Sequence, residues 1–351
     1  MSQLKINQKT NAKFPWGIIG HHNLVNFLQS SICQNKYSQA YLFVGPAGSG
    51  KQAIAEKFLN SLYCFDQNPQ AEKIPCGVCQ HCQQLAKGLH PDVFWLRREI
   101  NEKTGKLSQD TKISQIRELQ EKLNLHPFLN SFKFAVIEEA ETLNEEAYNA
   151  LLKTLEEPFP KSIIILLAKT TIGLPATILS RCQTFHLFSV SQLAIVQGLE
   201  TQGINPDLAA KLAKLAIGRP GQALNFLDPE KLTEHLALLE RFLNLKEQTL
   251  NERFKEIKNL LKQFKDSGQT VDELTKILNS WQLITRDLII QKAGAEDLVF
   301  HQDLKANLAK LAATAQLTDL LNFFNQINLA KLYLKRNLGP QLVLENLLIN
   351  Y

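Results

Sequence analysis

A chain of 351 residues, 44% hydrophobic and 21% charged, is longer than one ordinary domain and can bury substantial cores, so two or three domains are expected. Its net charge of +5 permits contact with nucleic acid without demanding it, and no apolar run reaches the roughly 20 residues of a membrane-spanning helix. Residues 1–13 are polar and lack the basic-then-apolar pattern of an export signal, so a cytoplasmic setting without membrane contact is expected. There thiols stay reduced, and the six cysteines then call for a metal or a buried role rather than disulfides.

The first helical pattern places Phe27, Leu28, Ile32 and Cys33 on one apolar face, which makes Cys33 a core residue. A strand-like run, Ala40 to Val44, then leads into Gly45-Pro46-Ala47-Gly48-Ser49-Gly50-Lys51, and a helical pattern through Ile54, Ala55, Phe58, Leu59 and Leu62 follows. Strand, glycine turn and helix together are the context of a phosphate-binding loop. The glycines let successive N–H groups face a phosphate, the helix N-terminus adds partial positive charge, and Lys51 reaches the outer phosphates. The next residue is Gln52, where magnesium chemistry wants a Ser or Thr hydroxyl. Weak ATP or ADP binding with impaired hydrolysis is therefore expected.

Cys64, Cys76, Cys79 and Cys82 follow with the spacing C-x11-C-x2-C-x2-C. Four thiolates suit a closed tetrahedral zinc site that holds an insertion together, with no open position for catalysis; His81 is an alternative fourth ligand. After His90-Pro91-Asp92, Val93 to Leu96 reads as a strand, and Arg97 to Gln109 as a polar stretch turning at Gly105. Ile113, Ile116, Leu119 and Leu123 mark an amphipathic helix that stops before Pro127. Lys133 to Ile137 is a strand ending in Glu138 and Glu139, placed as the second acidic motif of a P-loop protein, with Glu138 where Asp is usual.

Asn144 caps the next helix, whose stripe is Ala147, Leu151 and Leu155 and which Pro158 ends. A buried strand, Ile163 to Ala168, delivers Thr170 and Thr171, either of which is placed to orient water near a phosphate. Ser180-Arg181-Cys182 then precedes a short strand, Gln183 to Leu187, and an arginine there is positioned as a finger toward a neighbouring subunit. Residues 189–228 read as a small helical lid, with Gly218-Arg219-Pro220-Gly221 within it. From 229 to 351 the pattern is helix after helix, with stripes such as Leu239, Phe242 and Leu243, then Leu274, Ile277, Leu278 and Trp281, and a final pair running to Leu332. Lys112, Arg117 and Lys122 are scattered basic residues without the aromatic interleaving of a nucleic-acid platform.

AYLFVGPAGSGK, the four-cysteine insert, HPD, NALLKTLEEP, ILSRC and the segment Asn337 to Glu345 together resemble the ATPase-like subunits of the bacterial DNA polymerase III clamp loader, members of the AAA+ class. The resemblance implies an α/β fold: an AAA+ P-loop parallel sheet in residues 1–188 with a zinc-binding insertion near 64–82, a helical lid at 189–228 and an all-α collar at 229–351. It implies a component of a nucleotidyltransferase holoenzyme with no polymerase site of its own. It also implies assembly with gamma/tau and delta subunits, with sliding clamp and primer-template DNA engaged through the complex. The motor kind in this family has a hydroxyl after the P-loop lysine, Asp-Glu at the second motif and a lid arginine. Here Gln52, Glu138-Glu139 and Gly221 occupy those places, and Arg219 lies close enough to replace the missing cation in part. With Ser180-Arg181-Cys182 intact, this combination favours the delta-prime, stator kind, in which Arg181 serves a neighbour's ATP. An active motor that tolerates Gln52, and a zinc-dependent DNA-binding module, are the alternatives.

Overall fold

A computed structural model describes residues 16–65, 75–101, 106–108, 110–128, 132–245, 248–267, 270–336 and 338–349. The chain divides into two compact units, one formed by residues 1–98, 109–209 and 218–222, the other by 99–108, 210–217 and 223–351.

The elements run α1 (His22–Gln34), β1 (Ala40–Val44), α2 (Lys51–Tyr63), α3 (Gln80–Ala86), β2 (Val93–Leu96), β3 (Ile100–Asn101), β4 (Lys106–Leu107), α4 (Ile113–Asn124), β5 (Lys133–Ile137), α5 (Glu145–Glu156), β6 (Ser162–Ala168), α6 (Ala176–Arg181) and β7 (Gln183–His186). Five of the strands form one parallel sheet in the order β2-β5-β6-β1-β7. Every residue of β1, β5 and β6 is buried. A central parallel strand is covered on both faces, which is why these three read as unbroken apolar runs.

Side chains alternate across the sheet and so build two cores. Tyr41, Phe43, Phe134, Val136, Ile163 and Ile165 pack with Leu24 and Leu28 of α1 and with Ile54 and Phe58 of α2. Leu42, Ala135, Ile137, Ile164 and Leu166 pack on the other face with Ile116 and Leu119 of α4 and Leu151 of α5. Phe58 is fully buried, and truncating it to Ala is expected to cost about 3–5 kcal/mol. Parallel strands also gather their C-terminal ends at one edge, where the segments after β1, β5 and β6 converge. Because β6 separates β1 from β5, the P-loop and the acidic motif stand roughly 10 Å apart, the width of two strand spacings.

Cys33 is exposed, contrary to the core role expected of it. The buried positions of α1 include Leu24, Leu28 and Ser31, and a residue five places beyond Leu28 falls well off that stripe. The polar stretch after β2 also holds more structure than expected, because Ile100 and Leu107 pair in the antiparallel β3–β4 ladder. Gly105, assigned as its turn, lies outside the described residues, as does Asn337.

Three short helices follow, α7 (Gln192–Glu200), α8 (Pro206–Ala216) and α9 (Pro220–Asn225), then α10 (Pro229–Leu245), α11 (Leu250–Ser267), α12 (Thr270–Lys292), α13 (Lys305–Thr314), α14 (Leu317–Lys335) and α15 (Pro340–Ile349), which form a bundle. The expected stripes are its core: Leu239, Phe242 and Leu243 meet Leu274, Ile277, Leu278 and Trp281. The sequence pattern ended the helices near Leu332, whereas Pro340 begins a further one that adds Val343, Leu344, Leu347 and Leu348 to the core. Asp287 is fully buried within this bundle and accepts from the backbone N–H groups of Phe300 (3.1 Å) and His301 (2.9 Å), from His301 Nδ1 (2.7 Å) and from Arg286 (2.8 Å). Among the described residues, no helix is long and apolar enough to cross a membrane.

Candidate functional site

The loop after β1 has the geometry its glycines predict. Gly48 and Gly50 adopt left-handed φ values of 78° and 99°, and α2 begins at Lys51. Gly45 N–H donates to Ala168 O (3.0 Å) and Ser49 N–H to Pro46 O (3.1 Å), while the Ser49 carbonyl accepts from His21 Nε2 (2.9 Å). Lys51 folds back over its own loop, donating to the carbonyls of Gly45 (2.8 Å) and Pro46 (3.2 Å). Burial lowers its pKa and nearby Lys169 adds to that, against the opposing charges of Glu141, Glu139 and Glu138. Gln52 turns along the helix surface and donates to Glu56 (3.0 Å).

The segment Gly218–Gln222 lies directly on this loop. Gly221 N–H donates to Gly48 O at 2.8 Å, and a Cβ built on Gly221 would stand 3.0 Å from that same oxygen and 3.3 Å from the Gly48 carbonyl carbon and Cα. Gly48 in turn has room for no side chain beside Gln222, whose N would lie 3.1 Å from an added Cβ. Two glycines therefore allow backbone to touch backbone where the loop meets the start of α9. Arg219 is two residues away, and burial lowers its pKa.

At the same sheet edge the acidic pair is already matched by cations. Arg97 Nη2 lies 2.9 Å from Glu138 Oε1, and Arg98 Nη2 lies 2.6 Å from Glu139 Oε2; each arginine also donates Nε to the same oxygen. Lys169 Nζ binds the other oxygen of Glu139, and the Lys169 N–H donates to Glu141 (3.2 Å). Burial opposes ionisation of Glu139, but Lys169 and then Arg98 outweigh it and hold its pKa below the ordinary carboxylate value. The Arg97 side chain is 60% exposed and that of Arg98 is 12%, so the second pair is the stronger contributor. Thr170 Oγ1 accepts from Ile172 N–H (3.1 Å) just past β6.

Arg181 belongs to the opposite edge of the sheet. It ends α6 immediately before β7, whose first residue, Gln183, pairs with Tyr41 near the start of β1. Its Nη1 donates to Thr177 O (3.1 Å) and its Nη2 to Glu156 Oε1 (2.6 Å). The site residues expected from the sequence therefore form two groups: Gly45 to Gln52, Glu138, Glu139, Thr170 and Arg219 lie in the loops at the C-terminal ends of the strands, at the start of α2 or in the segment Gly218–Gln222, and Arg181 stands apart.

The four cysteines also meet. Their sulfur atoms lie within 4.8 Å of one another, and Cys76 Sγ is 4.0 Å from Cys82 Sγ. A tetrahedral zinc with bonds of about 2.3 Å sets its sulfurs about 3.8 Å apart, so the cluster fits that ion. Backbone N–H groups of Cys76, Cys79 and Cys82 point at the sulfurs of Cys64, Cys76 and Cys79 at 3.3–3.5 Å. Donors from Cys79 and Val78 bring the Cys76 thiol down to about 7, whereas burial pushes Cys82 up. Among the described residues His81 Nδ1 is buried without a hydrogen-bond partner, and the ring packs on Phe65 and His90. The closed cluster among the described residues is the four sulfurs, without His81.

The family described as "DNA polymerase III, delta subunit" matches residues 20–191. The DNA polymerase III subunit delta' of Bacillus subtilis is 27% identical over 327 residues, 93% of this chain and 94% of its own. The chain belongs to the clamp-loader family of DNA polymerase III subunits. The delta' subunit of Pseudomonas aeruginosa is 40% identical over 147 residues, 42% of each chain. The tau/gamma subunit of Haemophilus influenzae is 33% identical over 235 residues, 65% of this chain and 32% of its own, so the present clamp-loader chain spans about a third of that relative.

Sequence reasoning missed several residues that contact the expected site residues. Arg97 and Arg98 follow β2 just as Glu138 and Glu139 follow β5, and the register Leu96↔Ile137 sets each arginine beside a glutamate. That pairing was legible once the two strands were placed side by side. Glu156 gave no signal, because its partner Arg181 is 25 residues away on another helix.

Proposed function

We propose that this chain is a delta-prime-type, stator subunit of a bacterial DNA polymerase III clamp loader. It assembles with gamma/tau and delta subunits and lends Arg181 to the ATP site of a neighbour, so that the ring loads the sliding clamp onto primer-template DNA. In this reading residues 1–188 are the P-loop core, 189–228 the lid and 229–351 the collar that joins the ring. The likeness to a delta' subunit over 93% of this chain supports it, against 65% of this chain for a tau/gamma subunit.

The observation that carries the reading is the charge state of the chain's own acidic motif. Magnesium dehydrates reluctantly and needs carboxylates and a hydroxyl free to bind it. Here Arg97, Arg98 and Lys169 already engage Glu138 and Glu139, and Gln52 is turned to Glu56. The glycine loop and Lys51 remain, which supports weak ATP or ADP binding without turnover. A guanidinium offered to a neighbour's phosphate instead stabilises charge on the transferring oxygens, an effect worth on the order of 10³ to 10⁵ in rate at that site.

Cys64, Cys76, Cys79 and Cys82 would hold a structural zinc that ties the insertion to the end of α2. Four sulfur ligands leave no place for a reacting water, so the ion stabilises rather than catalyses. The test of the stator reading is equilibrium binding of labelled ATP to the isolated chain together with steady-state hydrolysis. Weak binding and no hydrolysis are expected; hydrolysis abolished by Lys51→Ala would make the chain a motor of the gamma/tau kind.

A further inference from the structure

The carboxylate that meets Arg181 sits where helix electrostatics disfavours it. Glu156 is the last residue of α5, followed by Glu157 and Pro158, and a helix C-terminus carries partial negative charge that repels an acid and attracts a base. Arg181 ends α6, so the guanidinium lies against the C-terminal residues of two helices at once. A local rule broken in this way often marks a residue kept for function.

We propose that Glu156 is a positioning residue for Arg181, presenting its guanidinium to the phosphates of a nucleotide held by an adjacent subunit; this rests on the trans role of Arg181 proposed above. An arginine has five N–H donors in one plane. Here Nη1 is bound to Thr177 O on its own helix and Nη2 to Glu156 on another, at 3.1 Å and 2.6 Å. Two anchors from separate elements fix the plane of the fork, and three N–H donors remain for phosphoryl oxygens. The side chain is 34% exposed and borders a cavity of about 230 Å3 lined by Ser38, Gln39, Thr154, Pro158 and Gln183, so space for a partner's ligand adjoins it. Without Glu156 the long side chain would sample several rotamers, and the finger would have to be ordered during each turnover.

The experiment uses the reconstituted loader and reads the Arg181-dependent part of its DNA-stimulated ATPase, the rate with the native chain minus the rate with Arg181→Ala. Glu156→Ala is expected to lower that part about threefold to tenfold in kcat with KM for ATP unchanged, because the contact acts when charge develops on the phosphoryl group. Glu156→Gln keeps an accepting oxygen and restores most of the rate. In the Arg181→Ala background, Glu156→Ala causes no further loss, as coupled residues require. Wild-type or faster turnover by Glu156→Ala, with Arg181→Ala still slow, overturns the positioning role and leaves the trans role standing. No effect of Arg181→Ala itself removes both.

Discussion

Replacing Gly221 with Ala pits two opposing effects against each other, and the structure decides which wins. Gly221 is the second residue of α9, where Ala is worth about 0.5–1 kcal/mol over Gly in helix propensity. Against this, the new methyl would stand 3.0 Å from Gly48 O and 3.3 Å from two further backbone atoms. These atoms belong to a loop fixed by the Gly45–Ala168 and Ser49–Pro46 bonds and cannot swing aside as a flexible side chain would. Overpacking of this kind costs about 1–3 kcal/mol, and lengthening the 2.8 Å bond from Gly221 N–H to Gly48 O forfeits roughly 0.5–1.5 kcal/mol more. The balance is a loss of about 1–3 kcal/mol in the closed contact between lid segment and P-loop. Hydrogen exchange of the amide at position 221, corrected for its intrinsic rate, should accelerate about 5- to 150-fold while amides of the β6 core hold their protection. Unchanged or slower exchange would refute the backbone contact as the reason glycine stands there.

Three further outcomes follow from particular groups. Purified chain should release one equivalent of zinc to a chromogenic chelator once its thiols are modified, and Cys76→Ser should release markedly less; release of none would remove the metal from the insertion. His90 Nδ1 accepts from Asp92 N–H at 3.3 Å and so must stay neutral, and burial, with His81 adding to it, brings its pKa down to about 4. The folded pKa lies below the ordinary 6.5, so the unfolded chain takes the proton first and stability falls as pH drops from about 6.5 toward 4. Urea unfolding in the presence of chelator should show this slope, and His90→Gln should flatten it; an equal slope in both proteins contradicts the assignment. In the helical bundle, Asp287→Ala strips the partner from buried His301 and two backbone N–H groups and should cost on the order of 3–5 kcal/mol by denaturant unfolding, whereas a loss below 1 kcal/mol would mean the pair is dispensable.

Much of the fold was legible because the central strands are parallel and buried on both faces, which turns Ala40 to Val44, Phe134 to Ile137 and Ile163 to Ala168 into plain apolar runs. The P-loop was equally clear, since its glycines answer a backbone demand local to seven residues. Contacts set by strand order were not. Arg97 and Arg98 neutralise Glu138 and Glu139 only because β2 lies beside β5, a pairing of segments about 40 residues apart. The spacing of Gly48 and Gly221 likewise hid their contact, although a glycine in place of an expected arginine pointed to the lid. Cys33 was misplaced because an apolar neighbourhood in sequence is not a stripe on the helix. The helix after Pro340 is short, and its stripe of Val343, Leu344, Leu347 and Leu348 stands beyond a Gly-Pro break that interrupts the preceding pattern.

The central claim is that the chain completes a neighbour's ATP site while its own acidic motif is already occupied by cations. Its most direct test is the DNA-stimulated ATPase of the reconstituted loader carrying Arg181→Ala, beside a loader carrying Lys51→Ala in this same chain. The account predicts that Arg181→Ala lowers turnover with assembly intact, while Lys51→Ala leaves the rate at the native level. Full activity with Arg181→Ala, or a collapse of turnover with Lys51→Ala in an assembled complex, would contradict it.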